Sequence, residues 1–187
     1  GLVGSEMCIR DSFSGELEGA FKGARVLVFG GAGFLGSWLS EALVCAGAQV
    51  LVVDNLSTGT LDNVRHLLEN PRFKFVRGDV RNFKPESLDF DYVLNLAARP
   101  APEDYSKHPV ETLLVSAEGS LNALEIARRC DATYVYTSTS EVYGSAEVVP
   151  TPEDYWGYVN PVGPRSCYDE GKRYAEALAM AYHREYG

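Results

Sequence analysis

Tyr168 and Lys172 stand four residues apart in Ser166-Cys167-Tyr168-Asp169-Glu170-Gly171-Lys172-Arg173. On a helix that spacing puts both side chains on one face, one turn apart. A phenol titrates near pH 10 when unperturbed, so an ammonium beside it is a means of making a base. At about 4–6 Å and an effective dielectric near 20, the cation favours the phenolate by roughly 3–4 kcal/mol, or two to three pKa units. Upstream, Thr137-Ser138-Thr139-Ser140-Glu141-Val142-Tyr143-Gly144 offers hydroxyls that can bond an alcohol and relay its proton. Glu141 adds a carboxylate able to act as acid or base. Each group also has an ordinary reading. Tyr and Lys at this spacing are a commonplace helix-surface pair, a Ser/Thr-rich strand exit caps its own backbone, and Glu141 can be a solvated loop residue.

A base beside an alcohol needs a hydride acceptor, and the glycines point to one. Gly30-x-x-Gly33-x-x-Gly36 lies between an apolar run and a helical pattern, the context a dinucleotide-binding turn requires. Its glycines permit a tight turn, close approach of backbone to pyrophosphate and close helix–strand packing. Asp54 closes the second strand near the roughly 20-residue offset expected of a ribose-binding acid. No Arg or Lys stands in Asn55–Leu61 to receive a 2′-phosphate, so NAD is favoured over NADP. Asp79 reads as an adenine-edge contact or as an Asp in an ordinary turn after Gly78. The cofactor contacts expected are Gly30, Gly33, Phe34, Leu35, Gly36, Asp54, Asn55, Ser57, Thr58, Gly59, Asp79, Val80, Leu96, Ala98, Thr137, Tyr168 and Lys172.

These residues need elements to hold them. Short apolar runs at Val26–Phe29, Gln49–Val53, Phe73–Arg77, Tyr92–Leu96 and Thr133–Thr137 read as strands. Helical spacing predicts helices over Phe34–Ala46, Leu61–Glu69, Val110–Arg129 and Tyr168–Tyr186. In the third of these, Leu113, Leu114, Ala117, Leu121, Leu124 and Ile126 give the apolar side. Strands alternating with helices imply an α/β protein, a doubly wound (Rossmann-type) parallel sheet with helices on both faces. Residues 144–167, rich in Pro, Gly and Tyr, form the one long irregular stretch, and such stretches are usually functional. Residues 1–24 lack any clear period and are expected to stand outside the fold, as an artefactual extension or a disordered arm. The NAD-binding domain is expected over 25–187. Because sheets of this type continue with at least one more strand, it is expected to be incomplete, cut before a C-terminal substrate-binding portion.

Bulk properties narrow the partners. The chain carries 17 basic against 26 acidic residues, a net charge of -9, which disfavours nucleic acid or an anionic membrane as partner. The most apolar run, Val26 to Leu39, is too short to span a bilayer and is interrupted by glycines. Cys8, Cys45, Cys130 and Cys167 show no Cys-x-x-Cys spacing and read as free thiols of a reducing, cytoplasmic compartment. No metal site is expected.

From Arg25 to Gly187 the chain resembles the extended short-chain dehydrogenase/reductase family of nucleotide-sugar enzymes, most of all its UDP-glucuronate decarboxylases (UDP-xylose synthases). The resemblance rests on Ser138-Thr139-Ser140-Glu141-Val142-Tyr143-Gly144, Asp154-Tyr155-Trp156-Gly157, Val159-Asn160-Pro161, Gly163-Pro164-Arg165 and Cys167 to Arg173. It implies that Tyr168 deprotonates the sugar 4-hydroxyl, Lys172 supports the phenolate and holds the ribose, and Thr139 bonds the 4-oxygen. Glu141 would stand near the departing carboxylate. Ser140 sits where the 4,6-dehydratases carry an Asp, and epimerases usually lack an acid at Glu141. The catalytic set is therefore Thr139, Ser140, Glu141, Tyr168 and Lys172. A 4-epimerase or 4,6-dehydratase is the alternative, and a non-catalytic NAD-binding fragment or regulatory protein a further one. Where decarboxylases have Ser-Pro-Ala-Ser-Pro, this chain reads Ala98-Arg99-Pro100-Ala101-Pro102. A family Lys-Thr pair touching substrate and cofactor is Glu111-Thr112, and a following Asn is Ser116. Arg99, Glu111 and Ser116 are thus the expected substrate contacts, with Thr112 on the cofactor. Arg99 reads either as the cation for the sugar carboxylate or as a surface Arg. By analogy with relatives, Val110–Arg129 and Tyr168–Tyr186 would pair two copies into a homodimer.

Overall fold

The computed structural model describes residues 19–187. Most of the 1–24 leader, Cys8 included, lies outside the described residues. Five strands, β1 (Arg25–Phe29), β2 (Gln49–Asp54), β3 (Phe73–Arg77), β4 (Tyr92–Asn95) and β5 (Thr133–Tyr136), form one parallel sheet in the order β3-β2-β1-β4-β5. In its register Val26 lies between Val50 of β2 and Tyr92 of β4. Three long helices, α1 (Phe34–Cys45), α2 (Pro109–Cys130) and α3 (Ser166–Tyr186), cover it.

β1 shows why the sheet is doubly covered. Val26, Leu27, Val28 and Phe29 are all fully buried, the unbroken apolar run of a strand without a solvent face. Val26 and Val28 pack with Leu43 and Val44 of α1 and with Val64 and Leu67. Leu27 and Phe29 turn to the other side, among Val115, Ala123 and Ile126 of α2. Each such side chain contributes about 1.5–3 kcal/mol by leaving water. Phe21 and Ala24 also pack against the first core, with the Phe21 ring 5.0 Å from Tyr92. The packed chain therefore begins before Arg25, where the sequence pattern set its edge.

Two expected elements differ in kind. Leu61–Leu67 is a 3-10 helix, entered from Thr60 and followed shortly by Pro71, which limits any continuation. The buried side of α2 is Thr112, Val115, Ser116, Gly119, Ser120 and Ala123 with its neighbours; of the expected apolar stripe, Leu124 and Ile126 lie on it. Leu113 and Leu121 remain 41% and 45% exposed. Close packing explains the inversion: a Cβ on Gly171 of α3 would meet Ser116 Cβ at 2.9 Å, and one on Gly119 would meet Val80 at 2.7 Å. Only small side chains fit such a seam. The sequence also left unseen a one-turn helix at Pro102–Tyr105 and a 3-10 turn at Ser140–Tyr143.

All five strands end on one edge, and β1 and β4 lie side by side while their following helices lie on opposite faces. The crevice between their carboxyl ends is where ligands bind in sheets of this topology. Among the described residues no helix is long and apolar enough to cross a membrane. Phe29→Ala is expected to cost about 3–5 kcal/mol in urea unfolding at constant slope. A loss below about 1 kcal/mol would mean that the strand is not the centre of the core.

Candidate active site

The crevice holds a cleft of about 410 Å³. Gly30, Gly33, Phe34, Leu35 and Gly36 form one wall, Asp54, Asn55, Ser57 and Thr58 another, and Asp79, Val80, Leu96, Ala98, Arg99 and Thr137 also line it, whereas Gly59, Thr112, Tyr168 and Lys172 do not. Gly30 has φ +76°, and a Cβ on Gly36 would stand 2.2 Å from the Gly30 carbonyl oxygen, so the turn closes only with glycine at both places. Helix α1 opens without a side-chain cap, leaving its first N–H groups for an anion in the cleft. Phe34 and Leu35 at that end are 78% and 64% exposed, apolar surface that a flat ligand would cover. The residues fit a dinucleotide.

Asp54 is a brace of its own loop and of the glycine turn. Its Oδ2 accepts from Ala32 N at 3.0 Å and its Oδ1 from Leu56 N at 2.8 Å, so it braces the glycine turn. A carboxylate has about four acceptor positions, more than these two bonds use, and Asp54 lines the cleft. Gly59 is not on the cleft wall. It backs the turn, because a Cβ there would meet the Ala32 carbonyl at 2.8 Å.

At the rim runs a chain of alternating charges that the sequence did not disclose. Asp79 accepts from Arg81 Nη2 at 2.7 Å and from Asn55 Nδ2 at 3.0 Å. The Arg81 guanidinium holds the Asp79 carboxyl down at about 2. Arg81 lies 3.8 Å from Glu111, Glu111 accepts from Arg99 Nη2 at 3.2 Å, and Arg99 Nη1 donates to Asp104 at 2.7 Å. Five of the expected site residues have partners or burial that the sequence did not show. Asp79 meets the cleft with its carboxylate already bonded to Arg81 and Asn55. Arg99 is neither a surface residue nor a free cation, being 8% exposed and matched by two carboxylates. Glu111 secures Arg99. Thr112 and Ser116 are 1% and 3% exposed because they share the inward face of α2, and Thr112 Oγ1 bonds the His108 carbonyl.

Beyond Thr137 the strand exit meets α3. Lys172 Nζ donates to the Thr137 carbonyl at 2.7 Å and lies 5.9 Å from the centroid of the Tyr168 ring. Thr139 is extended and accepts from Glu141 N at 3.3 Å, opening the Ser140–Tyr143 turn. It therefore caps its own backbone, and its side chain stands near enough to Tyr168 to favour the phenolate. Tyr168 stacks on Tyr105, centroids 5.4 Å apart and planes at 7°. Burial outweighs every other influence here. It pushes the Tyr168 phenol up, with the Thr139 side chain opposing, and it drives Lys172 down to about 8. The charge argument made from spacing omitted this desolvation, so the lysine alone does not yield a phenolate.

Glu141 lines a second cleft of about 220 Å³ with Tyr158, Asn160, Arg165 and Asp169. It is ion-paired to Arg165. Asp169 is buried with Oδ1 unpartnered, and burial together with the Glu141 charge raises its carboxyl. Ser140 is exposed. Tyr105, Arg165 and Asp169 escaped notice as site residues. Arg165 and Asp169 stood inside quoted motifs, whereas nothing local marks Tyr105. Cys45, Cys130 and Cys167 are free thiols.

Residues 27–187 match the family described as GDP-mannose 4,6 dehydratase. The chain is 49% identical over 166 residues to UDP-glucuronic acid decarboxylase 1 of Arabidopsis thaliana, covering 89% of this chain and 38% of that protein. It is 45% identical over 163 residues to UDP-glucuronic acid decarboxylase 1 of Danio rerio, covering 87% and 38%. Among solved structures, an epimerase from Methanothermobacter thermautotrophicus matches with a TM-score of 0.80 at 32% identity, over 94% of this chain and 52% of that one. A dTDP-glucose 4,6-dehydratase from Streptomyces venezuelae, solved with NAD bound, matches at TM-score 0.75 and 30% identity, over 87% and 52%. The chain thus spans well under two thirds of the length of these relatives.

The buried lysine has a measurable signature. Its folded value of about 8 lies below the usual 10.5, so between those pH values the unfolded chain binds more protons and stability rises with pH. Wild type is expected to gain on the order of 3 kcal/mol over Lys172→Met between pH 8 and 10.5 in denaturant titrations. Parallel curves for the two proteins would show a solvated lysine.

Proposed function

The chain belongs to the GDP-mannose 4,6-dehydratase family of extended short-chain dehydrogenase/reductases, and from that membership we propose that it carries the NAD site and much of the catalytic machinery of a nucleotide-sugar enzyme that decarboxylates UDP-glucuronate. The observation that carries the reading is the meeting of Tyr168, Thr139 and Lys172 where the glycine-walled cleft ends, with Glu141 on the cleft beyond. Identities of 45–49% to decarboxylases support the choice of reaction.

An oxidised nicotinamide held in the first cleft would supply the hydride acceptor for sugar C4 and, once reduced, the donor. The α1 N-terminus and the glycine turn would hold its pyrophosphate, and Asp54 its ribose hydroxyls. Tyr168 Oη receives the proton of the 4-hydroxyl while the Thr139 hydroxyl bonds the same oxygen. Lys172 favours the phenolate and steadies the ribose. Once C4 is a ketone, the C6 carboxylate stands two carbons away, so the electrons of the C5–C6 bond pass into the carbonyl as CO2 leaves. A proton then returns to C5. Glu141, held by Arg165, stands at the side where the carboxylate departs, and Tyr168 returns its proton to the 4-oxygen when the ketone is reduced.

A 4-epimerase or 4,6-dehydratase is the second reading, favoured by the epimerase and dehydratase identities of the structural neighbours. Ser140 argues against dehydration, since the dehydratases it resembles use an Asp there to protonate the leaving hydroxyl.

The full-length gene product, incubated with UDP-glucuronate and NAD+, is expected to release CO2 and form UDP-xylose with no net NADH. Tyr168→Phe should lower kcat by at least about 100-fold, the scale of a lost general base, and Glu141→Gln should slow CO2 release more than C4 oxidation. Turnover of UDP-glucose or dTDP-glucose without CO2 would move the protein to the second reading.

A further inference from the structure

Lys172 is 2% exposed, and its hydrogen bond to the Thr137 carbonyl uses one of three N–H donors. The ammonium otherwise faces aromatic surface. Nζ lies 4.6 Å from the centroid of the Tyr136 ring, closer than the 5.9 Å to Tyr168. Tyr136 precedes Thr137 on the same strand end, so ring and carbonyl grip the lysine from one element. The Tyr136 hydroxyl does not explain a tyrosine here. Its Oη is buried without a partner at hydrogen-bonding geometry among the described residues, although Ser120 of α2 lies beside it. A buried, unbonded hydroxyl is unfavourable, which leaves the ring face as the useful part of the side chain.

We propose that Tyr136 is a positioning residue for Lys172, its π face replacing solvent around the ammonium so that the lysine stays charged and aimed at Tyr168. The inference deepens the proposed function, because it rests on Lys172 as the partner of the Tyr168 base. Burial works to strip the lysine of its proton, and a ring within about 6 Å works against that. The other groups around Nζ are the Thr137 carbonyl just past β5, and Tyr168 and Glu176 on α3. Glu176 is the one charged group among the described residues that supports the ammonium. Without the ring, the neutral amine gains ground and the cation beside Tyr168 is lost.

The test follows Lys172 itself. In the full chain labelled with [6-13C]lysine and free of cofactor, NMR reads its titration midpoint, with the signal assigned by its loss in Lys172→Met. Tyr136→Phe should hold the midpoint near wild type. Fluorinated phenylalanines at position 136 keep the ring's shape while draining its face. They should lower the midpoint stepwise by about 0.5–1.5 pH units in all, and Tyr136→Leu should lower it too if it folds. A midpoint constant across the fluorinated series overturns the proposal, as does a rise towards the usual lysine value, the direction that loosened burial would give. NAD+ calorimetry on the same proteins separates the two readings. Failure of wild type to bind NAD+ removes the cofactor reading and leaves the ring–ammonium result standing. Intact binding with an insensitive midpoint removes only this inference.

Discussion

The Lys172 ammonium sits almost without solvent between the Thr137 carbonyl and the Tyr136 ring, and this fixes how α3 docks on the sheet. An unpaired buried charge is strongly unfavourable, so the helix cannot slide along β5 without losing its compensation. The one register left brings Tyr168, a turn earlier, against Thr139, and brings Asp169 beside Glu141. Seam packing reinforces it, since Gly171 lets α3 close on Ser116 of α2 with no room for a Cβ. The chemistry of the site therefore follows from where a single cation is allowed to be.

The opposite rim is built on another electrostatic plan. Asp79, Arg81, Glu111, Arg99 and Asp104 alternate in sign and join the ends of β3 and β4 to the start of α2. Three acids against two bases leave no surplus positive charge there for a diphosphate. On the proposed reading, anion recognition would fall instead to backbone N–H groups at the glycine turn and the start of α1, which need no counter-ion and add no side-chain entropy. Asp54 ties the end of β2 to the turn by bonding Ala32 N. The cleft is thus shaped chiefly by main chain, and the charged side chains hold the loops that frame it.

Sequence patterns disclosed what depends on local rules. The glycine turn, the apolar strands, Asp54 at a strand end and the Tyr168/Lys172 spacing all express constraints within a few residues, and the parallel sheet followed from their alternation. Arg99 was illegible because its partners lie on the one-turn helix Pro102–Tyr105 and on α2. An Asp five residues away and a Glu twelve away carry no signature of a pair. Tyr105 stacks on Tyr168 across a long stretch of chain that no periodicity links. Helix α2 misled for a physical reason. Leucines suggested its buried face, but close approach of α3 and the β3–β4 segment selected Thr112, Ser116, Gly119 and Ser120. The Tyr168 acidity was misjudged in the same way, since charge spacing can be read from sequence and desolvation cannot.

On this account Tyr168 is a base only when a cation of the cofactor joins Lys172, because burial alone holds the phenol up. The direct measurement is the ultraviolet difference titration of phenolate, wild type minus Tyr168→Phe, with and without saturating NAD+. The account predicts that NAD+ moves the Tyr168 phenolate to lower pH, towards neutrality. A Tyr168 titration that stays above the usual phenol range with NAD+ bound would contradict it.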